Sequence, residues 1–230
     1  MATPQWRHRF GKKHPCSFDD GDWSREPTSM IVRVKICGIT RADDAVVSVE
    51  AGVHAIGLVF APSPRMLTIP QARTILDRLP PLFPVVGVFK DQPAEFVNEV
   101  VSRCTLAYLQ FHGNEDPAYC SAFQRPIIRA FPLASFSDLD GVRAFHRACP
   151  QALILADSAR GGSGSACNWE IDRTLAAEVP LILAGGLHPE NVAQAIEEVS
   201  PAAVDVSSGV ELSPGVKDPV RIRAFLRSCS

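Results

Sequence analysis

The sequence predicts an α/β protein built as a single (β/α)8 barrel, also called a TIM barrel, over residues 30–230. Eight short apolar runs alternate with eight segments of helical periodicity, which is the pattern of repeated strand and helix units. All of these segments fit into about 200 residues, whereas a doubly wound sheet usually needs only about five or six strands. No G-x-G-x-x-G motif follows the first run. The barrel is therefore the favoured architecture.

Each element is justified by its own pattern. The predicted strands, rich in Val, Ile, Leu and Phe, are IVRVKIC, HAIGLVF, PVVGVF, LAYLQFH, PIIRAF, ALILAD, PLILAG and AAVDVSS. The predicted helices are RADDAVVSVEA, PQARTILDRL, PAEFVNEVVSR, DPAYCSAF, SDLDGVRAFHRAC, WEIDRTLAAE, PENVAQAIEEV and DPVRIRAFLRS. Several open on Pro, Asp or Ser, which helix starts prefer. Thr40 and Asp43 have the spacing of a capping box, so the first helix should begin near Thr40.

Composition restricts the class of partner. The net charge is −2, which gives no strong field toward nucleic acid or an acidic membrane, so we expect a small-molecule substrate. The seven cysteines form an odd set without a C-x-x-C pair, which argues against a disulfide framework and a structural metal site. No apolar run approaches the roughly 20 residues of a membrane span. A cytoplasmic protein is predicted, either a monomer or a homodimer.

Residues 1–29 mix charges, prolines and glycines without strand or helix periodicity. We interpret them as a flexible N-terminal extension. An over-called start codon is the alternative, because Met30 directly precedes the first strand. His8, His14 and Cys16 lack a fourth partner for a metal site.

In a barrel of this kind the functional residues lie at the C-terminal ends of the strands and in the loops that follow. That rule selects the APSPR run after the second strand and a set of strand-end residues: Cys37, Gln110, His112, Asp157, Gly185, Gly186, Asp205, Ser207, Ser208 and Gly209.

Two consecutive loops indicate a phosphate site. Gly185 and Gly186 let backbone N–H groups approach an anion, and Ser207, Ser208 and Gly209 begin a short extra helix. Either motif alone is as well explained by a tight turn or a helix cap. Together, in the loops after strands seven and eight, they favour phosphate.

Two side chains are candidates for proton transfer. Arg33, Lys35 and Cys37 share one face of the first strand, so the lysine and the first helix could lower the pKa of the thiol. A buried, inert cysteine is the competing interpretation. Asp157 shares a face with Leu155 on the sixth strand, and partial burial there would favour a neutral carboxyl that acts as a general acid. A capping role for Asp157 is equally open.

The motifs, taken in order, resemble those of phosphoribosylanthranilate isomerase, an enzyme family of tryptophan biosynthesis. They are VKICGIT, GLVFAPSPR, VGVF, LQFHG, the strand ending in Asp157 before GGSG, LAGGLHPENV, and AVDVSSGVE followed by PGVKD. Their order and spacing cover essentially all of the chain from residue 30 onward.

The resemblance implies a (β/α)8 barrel without cofactor or metal that carries out an Amadori rearrangement of a phosphorylated aldosamine. It implies Cys37 as the general base, Asp157 as the general acid and Arg65 as the ligand of the anthranilate carboxylate. Two residues separate GLVF from SPR where many members have three, which affects the register of Arg65. Gln110, His112 and Asp205 are expected to line the substrate pocket, and a purely structural role for His112 is the equally good alternative.

Three rival functions would each require different residues. An isomerase of the histidine pathway would carry Asp where Cys37 stands. An indole-3-glycerol phosphate synthase would need a catalytic lysine set and an extra N-terminal helical segment, which residues 1–29 do not resemble. A non-catalytic phosphate-binding barrel would need neither the thiol nor the acid.

Overall fold

The computed structural model describes residues 32–157 and 169–230. Eight parallel strands, β1 to β8, form a closed barrel in sequence order, with β1 paired to both β2 and β8. The predicted fold class is confirmed. In chain order the strands are Arg33–Ile36, Ala55–Val59, Val85–Phe89, Tyr108–Phe111, Ile127–Pro132, Leu153–Asp157, Leu181–Ala184 and Ala203–Val206.

The helices α1 to α8 alternate with the strands, as predicted. They are Ala42–Ala51, Ile69–Leu76, Ala94–Arg103, Pro117–Ser121, Asp138–Ala148, Glu170–Ala176, Val192–Val199 and Pro219–Ser228. Three of them have side-chain N-caps: Thr68 on α2, Asp116 on α4 and Asp218 on α8. A proline occupies the first or second helical position after each cap. These caps satisfy backbone N–H groups that the first helical turn leaves free.

The predicted capping box at Thr40 is wrong. Helix α1 begins at Ala42, and its N-cap residue Arg41 makes no side-chain capping hydrogen bond. The Thr40 hydroxyl donates instead to the carbonyl of Gly215, which is distant in sequence. A tertiary contact has replaced the local one.

Alternation along the strands divides the core into two layers. On β1, Val34 and Ile36 point outward into the large apolar layer between the strands and the helices. The other face of the strands points toward the barrel axis, where Cys37 packs against a smaller apolar cluster. This inner cluster consists of Val59, Ala61, Val86, Val88, Ile128, Ala130, Leu155, Ile182 and Ala184. The shared faces predicted for strands one and six are confirmed, and the face with Cys37 and Leu155 is the inward one.

A small substructure follows β8. A single 3-10 turn, Ser208–Val210, leads into a two-stranded antiparallel hairpin of β9, Glu211–Ser213, and β10, Val216–Lys217. The predicted short helix after strand eight is thus present as one 3-10 turn.

Residues 1–29, with His8, His14 and Cys16, lie outside the described residues. Across 32–157 and 169–230, none of the helices is long and apolar enough to cross a bilayer. In the same two ranges no group of three or more His, Cys, Asp or Glu side chains could hold a metal ion.

Candidate active site

A cavity of about 420 Å³ opens at the C-terminal end of the barrel. Ten of the eleven residues selected from the sequence line it: Cys37, Arg65, Gln110, His112, Asp157, Gly185, Gly186, Asp205, Ser207 and Ser208. The eleventh, Gly209, lies just outside, beside Gly186 and Ser208 in an adjoining depression. The strand ends therefore converge as the strand-end rule predicts.

Cys37 lies one residue beyond β1 and is partly buried. Its backbone N–H donates to the carbonyl of Val206 at 2.8 Å, so the loop after β1 is fixed to the end of β8. Burial raises the pKa of the thiol above its ordinary value, and Asp205 adds to that shift. Lys35 and Lys217 oppose it only in part. The expectation of a lowered thiol pKa is therefore wrong, because desolvation exceeds the effect of the cations.

Beneath the thiol, Lys35 and Asp205 form an ion pair inside the barrel. The Lys35 Nζ atom lies 2.7 Å from Asp205 Oδ2, and the two residues are 5% and 7% exposed. Burial acts to lower the pKa of Lys35, but Asp205 and Cys37 outweigh it and the net shift is upward. The lysine thus remains an ammonium next to the thiol. Strand alternation in the sequence indicated that Lys35 lies on the same face as Cys37. Its partner Asp205, on the neighbouring strand β8, is visible only in the folded structure.

Asp157 ends β6 and meets His112 from the loop after β4. The His112 Nε2 atom lies 3.0 Å from Asp157 Oδ2, and about a third of each side chain is exposed. Both side chains face the cavity. A carboxyl group beside an imidazole can donate or accept a proton according to the histidine tautomer. Asp157 is therefore accessible to a ligand and paired with His112. A carboxylate that only capped the following loop would need neither feature.

The loop that carries His112 is held by a buried arginine that the sequence analysis missed. Arg129 on β5 is 6% exposed and donates to the carbonyls of Phe111, Gly113 and Glu115. Its guanidinium also lies 4.7 Å from the ring centre of Phe131, a cation–π contact. These contacts fix the backbone on both sides of His112. A lone cation in the apolar strand PIIRAF was the available signal.

The two glycine loops pack directly against each other. Gly185 and Gly186 have φ values of +88° and +63°, which side chains with a Cβ rarely adopt. A Cβ at Gly209 would lie 1.9 Å from the carbonyl oxygen of Leu187, so the loop after β8 touches the loop after β7. The Asn191 side chain fixes the first loop, since its amide donates to the Gly186 carbonyl at 3.0 Å. Together the loops form a backbone-rich wall of the cavity.

Arg65 lies in the loop after β2 and lines the cavity, but its guanidinium already has a partner. Its Nε and Nη2 atoms donate to the two carboxylate oxygens of Glu211, with Nε 2.7 Å from Oε1. This bidentate pair raises the pKa of Arg65. Glu211 was not selected as a site residue, although it ends the motif DVSSGVE.

Two buried oxygens in the cavity wall have no hydrogen-bond partner among the described residues. They are Oε1 of Gln110, a residue 1% exposed, and Oδ1 of Asp205. Buried polar atoms are nearly always paired in folded proteins. The unpaired oxygens mark the wall around Gln110 and Asp205 as a polar surface of the site.

The chain is similar in sequence and fold to proteins of described activity. A sequence model of the N-(5'phosphoribosyl)anthranilate (PRA) isomerase family matches residues 34–228. The N-(5'-phosphoribosyl)anthranilate isomerase of Geobacter sulfurreducens is 48% identical over 198 residues, which are 86% of this chain and 98% of that protein.

Two solved structures show the same likeness in three dimensions. The crystal structure of phosphoribosyl anthranilate isomerase from Thermotoga maritima has a TM-score of 0.80 and 40% identity, covering 86% of this chain and 98% of its own. A crystal structure of phosphoribosyl anthranilate isomerase in complex with reduced 1-(o-carboxyphenylamino)-1-deoxyribulose 5-phosphate has a TM-score of 0.78 and 38% identity, with the same coverage.

Proposed function

The chain belongs to the N-(5'-phosphoribosyl)anthranilate isomerase family, and on that premise we propose the reaction it catalyses. It converts N-(5-phosphoribosyl)anthranilate into 1-(2-carboxyphenylamino)-1-deoxyribulose 5-phosphate, an aldose–ketose isomerisation of tryptophan biosynthesis. The observation that carries this proposal is one cavity lined by a thiol, a carboxyl group and two glycine loops. Substrate and product are isomers, so the step requires proton transfers and no redox cofactor.

We assign the substrate phosphate to the loops after β7 and β8. Three glycines support this assignment. Gly185 and Gly186 have positive φ values, and Gly209 lies too close to the Leu187 carbonyl to carry a side chain. Their backbone N–H groups can therefore approach an anion closely. Ser207 and Ser208 add hydroxyl groups at the same wall. In the closed barrel β7 and β8 lie between β6 and β1. A phosphate bound there sets the sugar between Asp157 and Cys37.

The first half of the reaction opens the ribose ring. The anthranilate nitrogen forms a double bond to C1 as the bond from C1 to the ring oxygen breaks, and that oxygen needs a proton to leave. We assign this proton to the carboxyl group of Asp157. The resulting carboxylate can accept a hydrogen bond from His112 Nε2, which lies 3.0 Å from Oδ2.

The second half moves the proton at C2. The Cys37 thiolate removes it, the C–H electrons form a C1–C2 double bond, and the former imine electrons return to nitrogen as an enolamine. The C2 hydroxyl then loses its proton while C1 gains one, which yields the ketone. Atoms and electrons balance without an added reactant. Lys35 beside the thiol supports this assignment, since an ammonium stabilises a thiolate.

We propose that Arg65 binds the anthranilate carboxylate. A guanidinium has five N–H donors, and the pair with Glu211 uses Nε and Nη2. The Nη1 edge remains for a second carboxylate, in the bidentate geometry that arginine favours. Gln110 and Asp205 are proposed to line the same pocket on the side of the sugar.

We further propose that the protein is cytoplasmic and acts as a monomer or homodimer. The odd cysteine number without a C-x-x-C pair supports the reducing compartment.

The test is turnover by the purified full-length chain. Freshly prepared phosphoribosylanthranilate should lose its fluorescence at a rate well above the background, and the Cys37→Ala variant should remove most of that rate. A wild-type rate equal to background would refute the isomerase and favour a non-catalytic phosphate-binding barrel. Turnover of the histidine-pathway aldosamine in preference to phosphoribosylanthranilate would favour the alternative isomerase.

A further inference from the structure

Lys217, at the end of β10, is a buried cation that no role proposed above uses. Its side chain is 0% exposed. The Nζ atom donates three hydrogen bonds: to the carbonyl of Cys37 at 2.7 Å, to the carbonyl of Ser207 at 3.0 Å and to Glu211 Oε1 at 2.8 Å. An ammonium has three donors, so every one of them is used.

The three acceptors belong to three different parts of the proposed site. Cys37 is the proposed base, Ser207 belongs to the proposed phosphate loop, and Glu211 holds Arg65. The two carbonyls lie beyond the ends of β1 and β8, where the regular ladder between these strands has ended. One ammonium therefore bridges the Cys37 and Ser207 carbonyls just beyond the last backbone hydrogen bond between these segments, from the Cys37 N–H to the Val206 carbonyl.

Glu211 pairs with two basic side chains. Its carboxylate lies 2.8 Å from Lys217 Nζ and also binds Arg65. Burial lowers the pKa of Lys217, and the hydrogen bond to Glu211 opposes that shift. Burial acts to raise the pKa of Glu211, but hydrogen bonds from Arg65 and Lys217 outweigh it and the net shift is downward. Glu211 thus stays ionised between Arg65 and Lys217.

The hairpin that carries Lys217 is itself anchored to the barrel. The Lys217 backbone N–H donates to Asp44 Oδ2 on α1 at 3.0 Å, and the Thr40 hydroxyl donates to the Gly215 carbonyl. The N–H of Asp218 donates to the Val210 carbonyl at 2.9 Å. The hairpin therefore holds the ammonium in a fixed place relative to α1 and to the loop after β8.

We propose that Lys217 and Glu211 are positioning residues of the isomerase, which fix the Cys37 backbone, the phosphate loop and the Arg65 guanidinium relative to one another. This inference rests on the proposed function for the roles of those three groups. A purely structural buried ion pair is the competing explanation. It would affect unfolding but leave the kinetics of the folded enzyme unchanged, so kinetics separates the two.

The experiment compares Lys217→Met and Glu211→Gln with wild type in the full-length protein. Four quantities are measured: kcat, KM, the thermal unfolding midpoint, and the rise in that midpoint caused by inorganic phosphate. Glu178→Gln is the matched control, because Glu178 makes the same bidentate pair with Arg143 on the exposed surface, with Arg143 Nε 2.8 Å from Oε2.

The two variants should have different kinetic effects. Lys217→Met frees the base and the phosphate loop together, so kcat should fall about 100-fold, as expected for a misplaced reacting group, and phosphate should stabilise the variant less. Glu211→Gln keeps the Lys217 bonds to both carbonyls but loosens Arg65. KM should therefore rise about tenfold, while the effect of phosphate stays as in wild type. Glu178→Gln should match wild type in all four quantities.

Each outcome has a defined meaning. Folded variants with kcat, KM and phosphate effect close to wild type would overturn the proposal, whatever their unfolding midpoints. If Lys217→Met does not fold, Lys217→Gln takes its place, and if neither folds, the KM of Glu211→Gln decides alone. An inactive wild type would refute the proposed reaction, and the phosphate measurement would still test whether Lys217 fixes the loop.

Discussion

The backbone of Gly57 on β2 lies against the thiol of Cys37 at the end of β1. A Cβ added at Gly57 would lie 2.8 Å from the Cys37 Sγ atom, 3.2 Å from its Cα atom and 3.2 Å from Lys35 Nζ. Non-bonded heavy atoms normally lie roughly 3.5–4.0 Å apart, so all three distances are too short for a side chain. The motif GLVF therefore begins with glycine because the neighbouring strand occupies the space that a side chain would need.

Gly57→Ala should lower kcat because the added methyl group displaces the thiol and the ammonium together. A displacement of this kind costs up to about 100-fold in rate, and overpacking costs about 1–3 kcal/mol of unfolding free energy. Gly141→Ala on α5 is the matched control, since nothing lies within 4 Å of a Cβ there. Steady-state kinetics and denaturant unfolding measure both effects. Wild-type kinetics in Gly57→Ala would show that the thiol tolerates displacement.

Cys37→Ser should lower kcat by about 100-fold or more while substrate still binds, because a hydroxyl is a far weaker acid than a thiol and supplies almost no anion. The control is Cys229→Ser, a partly buried cysteine at the end of α8 and outside the cavity. Its kcat should stay close to wild type. Stopped-flow fluorescence reports substrate binding and turnover separately. A Cys37→Ser enzyme of near wild-type rate would refute the base assignment.

Alkylation of the Cys37 thiol by iodoacetamide should become faster as pH rises through the neutral range. The reactive form is the thiolate, and burial raises the pKa of Cys37 above its ordinary value, so the thiolate fraction grows with pH. Below that pKa, the labelling rate should increase up to about tenfold per pH unit. Labelling reports the thiol alone, whereas kcat/KM also depends on the protonated carboxyl group of Asp157. In Lys35→Met the increase should move to higher pH, because Lys35 is the main cation that lowers the Cys37 pKa. A labelling rate that does not change between pH 7 and 9 would contradict the raised pKa.

Asp157→Asn should lower kcat by about 100-fold, since an amide cannot donate the proton that the ring oxygen requires. His112→Gln should have a smaller effect, because glutamine keeps an N–H donor toward the carboxylate that His112 now faces. Comparing the kcat of the two variants tests which residue supplies the proton. A larger loss in His112→Gln than in Asp157→Asn would transfer the acid role to the histidine.

Gly209→Ala should weaken phosphate binding. The new Cβ would lie 1.9 Å from the Leu187 carbonyl oxygen, so the loops after β7 and β8 must separate. We expect KM to rise about tenfold or more and the stabilisation by inorganic phosphate to fall. Thermal unfolding with and without phosphate measures the second effect. An unchanged response to phosphate would place the anion elsewhere in the cavity.

Much of the site was predictable because barrel geometry converts sequence position into spatial position. A residue at the C-terminal end of any parallel strand lies on the same rim, whatever its separation along the chain. Cys37 and Asp157 are 120 positions apart by their numbers and line one cavity. Strand alternation likewise indicated that Cys37 shares a face with Lys35 and Asp157 with Leu155, and the structure shows that Cys37 and Leu155 lie on the inward side.

The partners of these residues could not be predicted in the same way. Glu211 meets Arg65, and Asp205 meets Lys35, across 146 and 170 positions of sequence. Such pairs depend on which loops and strands become neighbours when the barrel closes. The hairpin of β9 and β10, which brings Lys217 to the carbonyl of Cys37, is a further example.

The sequence by itself determined the order of strands and helices, which residues share a strand face and the rim on which the site lies, because these follow from local periodicity and from one rule of parallel-barrel geometry. Only the tertiary structure decided the pKa shift of Cys37, the partner of Thr40 and the pairing of Arg65. Desolvation and ion pairing depend on atoms from other strands, whose distances are fixed only when β1 closes the barrel between β2 and β8.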